Sequence, residues 1–285
     1  YRKLSDAAYD RTWFLRMLRD EGVVGQRLMR ILGNSPYTAD LIISAPDIVK
    51  QLGDGATRPK LLETSEDRVT KSIVAAAARH DDPDVAIAVA RSLRRAELAR
   101  IASADLLQML SVQQVCRRLS YVWDAVLEAG LQAEIRASLI GSTGDKNSVP
   151  PARIAVIGMG RLGGSELGYG SDADVMFVCE PTEGVSDEAA VKWAIGVCDS
   201  MRSRLAKPSG DPPLDVDLGL RPEGRSGAVV RTLESYKQYY ERWGEVWEIQ
   251  ALLRADFIAG DQELGARFLE MIEPLRYPEA GVSQK

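Results

Sequence analysis

Two apolar stretches, Arg153 to Ile157 and Asp174 to Cys179, both read as strands, and the segment between them constrains the fold more than any other part of the chain. It opens with the glycine run Gly158-Met159-Gly160-Arg161-Leu162-Gly163-Gly164 and closes with Ser171-Asp172-Ala173-Asp174-Val175. The Gly158-x-Gly160-x-x-Gly163 pattern after a strand is also the dinucleotide fingerprint, and Glu180 closes the next strand at about the spacing of a ribose-binding acid. Yet a short helix, expected over Gly164 to Leu167, has to end by Gly168-Tyr169-Gly170. Fewer than about ten residues remain, where a parallel crossover needs roughly a dozen. No repeated strand-helix-strand pattern lies upstream. The aspartates decide the chemistry instead: residues i and i+2 of a strand share a side, so Asp172 and Asp174 converge beside the glycine turn. Paired hard-oxygen ligands next to a turn that lets backbone approach a phosphate describe a Mg²⁺ and nucleotide site. Near a metal-free pyrophosphate the same carboxylates would repel it.

Phosphoryl chemistry with two metal ions calls for a third carboxylate. Leu214-Asp215-Val216-Asp217-Leu218 offers two on one strand face, and the strand period does not separate Asp215 from Asp217.

Other classes of function find little support. Of 285 residues, 45% are hydrophobic and 27% charged, an ordinary balance for a globular protein with room for two domains. No apolar run approaches the ~20 residues of a membrane span. No charged and apolar leader follows Tyr1, so no export signal is expected. Three cysteines, Cys116, Cys179 and Cys198, lack C-x-x-C spacing, which suits reduced thiols and a cytoplasmic setting. The single histidine, His80, reads as a helix-terminal residue before the turn Asp81-Asp82-Pro83. A zinc site or a Ser-His-Asp enzyme therefore lacks its parts. The net charge of -5 argues against nucleic acid held on a broad basic face.

The expected fold class is α+β. Residues 1–140 read as an all-helical domain, with Trp13, Phe14, Met17, Leu18, Leu28, Ile31 and Leu32 at helical spacing and Ser35 before Pro36 as an N-cap. Longer helices are expected over Ser65 to Arg79, Pro83 to Leu110 and Val112 to Leu139. Arg91, Arg94, Arg95 and Arg100 form the one basic cluster of this half, expected as a solvated face or a docking face. A Gly-, Ser- and Pro-rich stretch at 141–151 reads as a linker. The small mixed sheet and flanking helices of a catalytic domain follow over 152–260, with further strands at Leu214 to Leu220 and Gly227 to Arg231. Helices are expected over Ser186 to Leu205, Leu233 to Trp247 and Glu248 to Ala259. Residues 261–285 read as the start of a carboxy-terminal helical region.

The run from Ala155 to Val175 resembles the signature of the glutamine synthetase adenylyltransferases, within the DNA polymerase beta-like nucleotidyltransferase superfamily. Val216-Asp217-Leu218-Gly219-Leu220-Arg221-Pro222-Glu223-Gly224 is similar to that family's second motif. Trp247-Glu248, Gln250-Ala251-Leu252 and Arg254-Ala255 resemble its third. The helical half matches too, at Leu28 to Ala45 and Leu93 to Asp105, so the resemblance covers nearly the whole chain. It implies transfer of AMP from ATP to a tyrosine of glutamine synthetase with release of pyrophosphate. Glu166-Leu167-Gly168-Tyr169 is similar to the attaching half of an enzyme whose other half removes AMP by phosphorolysis; that removing role, or uridylyl transfer to a PII-type signal protein, is the alternative. The resemblance selects Asp217 over Asp215 and makes Asp172, Asp174 and Asp217 the catalytic ligands of two Mg²⁺ ions. It makes Gly158, Gly160, Arg161, Ser171 and Arg221 nucleotide-binding residues. A PII-type protein and glutamine enter as regulators. Arg161 stands where the family usually has lysine, and Gly219 where arginine is common.

Overall fold

The computed structural model describes residues 1–278 and has the expected α+β class, helices around one small mixed sheet. Seven helices come first: α1 (Arg2–Ala7), α2 (Thr12–Asp20), α3 (Gly22–Asn34), α4 (Pro36–Ser44), α5 (Glu66–Ala77), α6 (Pro83–Leu106) and α7 (Val112–Thr143). Their starts are written in the sequence. Ser35 accepts from Thr38 N–H with Pro36 at the first helical position, Asp82 caps α6 ahead of Pro83, and Ser111 and Gln114 form a reciprocal capping box on α7. His80 follows α5, and its carbonyl accepts from Arg136.

Helix α7 overruns the expected linker. Gly141, Ser142 and Thr143 are helical, with both hydroxyls bonded back to carbonyls of the preceding turn, and the helix ends at Gly144, whose φ of 76° favours a residue without a Cβ.

The sheet follows. In chain order come β1 (Ala152–Gly158), a one-turn helix α8 (Gly160–Gly163), β2 (Ala173–Pro181), α9 (Asp187–Leu205), β3 (Val216–Asp217), β4 (Val230–Thr232), α10 (Leu233–Arg242), α11 (Val246–Leu252), β5 (Asp256–Gly260) and α12 (Gln262–Arg276). β1 lies between β2 and β5, antiparallel to both. β3 and β4 run parallel to β2, one at its start and one towards its end. Several elements depart from expectation. The short helix sits at Gly160–Gly163, before Gly164 to Leu167. The strand expected over Leu214 to Leu220 shrinks to Val216–Asp217 because the chain turns into a loop at Leu218. The helix expected over Glu248 to Ala259 stops at Leu252; Phe257, Ile258 and Ala259 join the edge of β1 instead, where pairing outweighs local helix propensity.

Both faces of the sheet are buried, and this changes the domain picture. Ala155, Ile157, Met176 and Val178 point to one face and pack with Tyr236, Tyr240, Leu264, Phe268 and Ile272 of α10 and α12. Ile154, Val156, Val175, Phe177 and Cys179 point to the other, in one continuous core with Leu119, Val122, Val126 and Leu131 of α7, Val197 and Met201 of α9, and residues back to Leu4. The boundary expected between 1–140 and 152–260 is therefore not a break in packing. Nor does α12 begin a separate region, since it covers the sheet; residues 279–285 of that expected region lie outside the described residues.

The arginine cluster is likewise not a free face. Arg91, Arg94 and Arg100 are buried. Arg91 donates to the carbonyls of Arg204, Leu205 and Lys207, Arg94 to those of Pro212 and Pro213, and Arg95 pairs with Asp211 at 2.7 Å. These guanidinium groups hold the connection from α9 to β3 against the helical half.

Candidate active site

The antiparallel register sets Gly158 opposite Val175, so the glycine turn after β1 lies beside the residues that open β2. Met159 N–H donates to Asp174 O at 2.8 Å and fastens turn to strand. On the other side β3 brings Asp217 into register with Asp174, side by side on adjacent parallel strands. Asp172, two residues before Asp174 and just ahead of β2, lies near enough for its charge to act on the Asp174 carboxyl. Asp215 precedes β3 with its side chain exposed, and its carbonyl accepts from Ala173 N–H at 2.9 Å. The three sequence-selected aspartates thus come from two strand ends at one edge of the sheet.

Their electrostatics are strained. Burial pushes the half-buried Asp174 carboxyl up to about 6, the charges of Asp172 and Asp217 push it the same way, and Arg161 opposes them. No lysine or arginine among the described residues forms an ion pair with any of the three. No group of three acidic, histidine or cysteine side chains is gathered into a ready-made metal cage among the described residues. Carboxylate oxygens are the hard donors that Mg²⁺ takes, and that ion keeps waters and leans on substrate phosphates for its remaining ligands. The residues present therefore fit the ion that the sequence implies.

The glycines divide by role. Gly160 has a φ of 51°, and a Cβ there would lie 2.8 Å from Asp174 Oδ2, so only glycine lets the turn press on the carboxylate. Gly158 is buried, and a Cβ on it would meet Ile258 at 2.5 Å; its bare backbone makes room for the irregular pairing with β5. Gly219, where arginine is common in the family, donates its N–H to Asp217 Oδ1. Arg161 is exposed at the mouth, and Ser171 Oγ accepts from Gly168 N–H at 3.0 Å, closing the turn ahead of Asp172.

Arg221 is not brought to the cleft. Its guanidinium is buried and donates to the carbonyls of Leu218, Arg225 and Gly227, which staples the loop after Asp217. Buried, with each of its three nitrogens bonded to a backbone carbonyl, it shapes that loop rather than presenting a free fork to phosphate.

Three features were not singled out from the sequence. Glu248, almost wholly buried, accepts from Glu223 N–H, Tyr239 Oη–H and Glu245 N–H, and so ties α11 to the loop after β3. Arg254 pairs with Glu166 at 2.7 Å beside Gly164. Tyr169 donates to Asp105 of α6. Glu248 and Arg254 lie within the third family-like segment, which gave a signal without a role. Two of the cysteines are held as inert thiols: burial pushes the Cys179 thiol up to about 12 and raises that of Cys198 as well.

A glycine turn and acidic strand ends on a small mixed sheet packed by helices define a nucleotidyltransferase-type domain. The family described as glutamate-ammonia ligase adenylyltransferase matches residues 25–271. The chain is 72% identical over 283 residues to a protein of Corynebacterium efficiens, covering 99% of this chain and 27% of the relative. It is 70% identical over 284 residues to one of Corynebacterium glutamicum, covering 100% and 27%, and 56% identical over 283 residues to one of Mycobacterium tuberculosis, covering 99% and 28%. Each of these relatives is a "bifunctional glutamine synthetase adenylyltransferase/adenylyl-removing enzyme". The chain belongs to the glutamate-ammonia ligase adenylyltransferase family, and it spans about a quarter of the length of these relatives.

Proposed function

We propose that this chain transfers AMP from ATP to a tyrosine hydroxyl of glutamine synthetase and releases pyrophosphate. The observation that carries the reading is the register of Asp174 with Asp217 beneath the Gly160 turn, which gathers acidic oxygens where a nucleotide backbone can approach. Asp172, Asp174 and Asp217 would hold Mg²⁺, which when bound draws charge from the α-phosphate and brings the attacking oxygen within reach. Two ions fit a set of three carboxylates.

The chain's own residues supply the rest. The Gly158 to Gly160 backbone and the Arg161 guanidinium steady the triphosphate, arginine serving bidentately where lysine would act as a point charge. The Ser171 turn presents Asp172. A phenol of pKa ~10 is mostly protonated at neutral pH, and Asp217 at the strand end is the base positioned to take its proton. Regulation by a PII-type protein or glutamine, and a cytoplasmic setting, belong to the same proposal. No helix among the described residues is long and apolar enough to cross a membrane.

The removing activity in the relatives' names gives a second reading, because phosphorolysis of a tyrosyl-AMP needs the same carboxylates. One experiment separates them. The chain is incubated with Mg²⁺ and either glutamine synthetase and α-labelled ATP, or labelled adenylylated glutamine synthetase and phosphate. Label entering the protein, with pyrophosphate released, supports attachment; ADP released by phosphate supports removal. Label from UTP entering a PII-type protein, and none from ATP entering glutamine synthetase, would contradict both.

A further inference from the structure

The loop that carries Asp172 is short, glycine-rich and strained: Ser165 has a φ of 54°, and nothing packs against a Cβ placed on Gly170. Such a segment has little intrinsic reason to hold a carboxylate in one place. The helical half grips it at three points. Leu167 is fully buried in the shared core, and its N–H meets Ser120 Oγ of α7 at 3.5 Å. Tyr169 sets its ring edge-on against Tyr37 of α4, centroids 5.7 Å apart. Its hydroxyl donates to Asp105 Oδ2 of α6 at 3.0 Å. Ser171 Oγ then closes the turn on Gly168, one residue ahead of Asp172.

We propose that Tyr169 and Asp105 act as a positioning pair, through which the helical half fixes the catalytic loop and with it Asp172. Asp105 sits at the carboxy-terminal end of α6, and its part is to hold Tyr169. The hydrogen bond crosses from α6 to the loop, while the ring contact with Tyr37 resists rotation of the phenol about that bond. Losing the hydroxyl leaves the ring packed but free to slide, which lets Asp172 move by a fraction of an ångström to an ångström. Supporting contacts of this kind change metal affinity or activity by roughly 10- to 100-fold when removed, and misplacement by about 1 Å has effects of similar size.

The inference rests on the reading of the cleft as a metal site, so its test has one readout that needs the metal and one that does not. In the full chain, Tyr169→Phe and Asp105→Ala are compared with wild type by Mn²⁺ binding, followed as loss of the free-ion electron paramagnetic resonance signal, and by amide hydrogen exchange over 168–173. The proposal expects Mn²⁺ binding weakened roughly tenfold or more in each, with faster exchange at Gly168 and Ala173. It expects Asp105→Asn, which keeps an acceptor for the hydroxyl, to restore both readouts, and the double variant to be no worse than the weaker single one. Thermal midpoints that fall while Mn²⁺ affinity and loop exchange stay at wild-type values would overturn it, because the pair would then be structural only. If the wild-type chain binds no Mn²⁺, the metal reading itself fails, and unchanged or faster exchange over 168–173 still decides against or for the anchor.

Discussion

Gly160 presses directly on Asp174, which makes it the sharpest single-residue test of the cleft's shape. Gly160→Ala adds a methyl group 2.8 Å from a carboxylate oxygen at a φ of 51°. The strain is about 1–2 kcal/mol, too little to unfold the chain, yet the carboxylate has to move; turnover should fall by about a hundredfold with the far-ultraviolet circular dichroism spectrum unchanged. Asp217 and Asp215 make a second test. Asp217→Ala should be inactive, and Asp215→Ala, whose side chain is exposed and whose carbonyl alone is used, should keep most activity in the same assay. Away from the chemistry, burial and the charge of Asp256 push the Asp124 carboxyl up to about 8, and its Oδ1 has no hydrogen-bond partner. A folded-state value above the unfolded one of about 3.9 means that the folded chain binds the extra proton. Asp124 therefore favours the fold at low pH and progressively less as pH rises from about 4 to about 8. Asp124→Asn should raise the thermal midpoint several-fold more at pH 9 than at pH 5; equal shifts at both would contradict this assignment.

Elements whose signals are local were legible in the sequence, and elements made by pairing were not. Ser35-Pro36 announces α4 and the turn Asp81-Asp82-Pro83 the start of α6, because a cap or a turn is a contact within four residues; the Ser111 and Gln114 capping box of α7 is of the same local kind but is seen only in the structure. The two-residue strand Val216–Asp217 and the strand Asp256–Gly260 exist because β2 and β1 offer them edges, information that sits far away in the chain. The Asp172 and Asp174 pair was readable from strand period and the glycine turn, whereas choosing Asp217 over Asp215 needed the family resemblance. Arg221 shows the limit of motif reasoning. An arginine beside an acidic motif looks like a phosphate ligand, but three carbonyls within its own loop occupy it. Arg221→Ala should accordingly lower the thermal midpoint and slow turnover together, since it loosens the loop that follows Asp217. A raised KM for ATP at an unchanged midpoint would restore the ligand role.

At the scale of the whole molecule the helical half and one face of the sheet share a continuous core. Composition shifts at 141–151 suggested a boundary, but the alternation of Ile154, Val156, Val175, Phe177 and Cys179 towards α7 and α9 leaves one sheet face with no other cover. Fully burying such a side chain contributes about 1.5–3 kcal/mol, so several together outweigh the stability of a small domain. A chain beginning near Ser148 should therefore fail to give a cooperative melt, and the intact chain should unfold in a single calorimetric transition. Two separated transitions would favour the boundary read from composition. The most direct measurement is single-turnover transfer of α-labelled AMP from ATP to glutamine synthetase by the intact chain at saturating Mg²⁺, with Asp174→Asn beside it. The account predicts label on a tyrosine of glutamine synthetase with the wild-type chain and a loss of at least about a hundredfold with the variant. Near-normal transfer by a folded Asp174→Asn chain would contradict it.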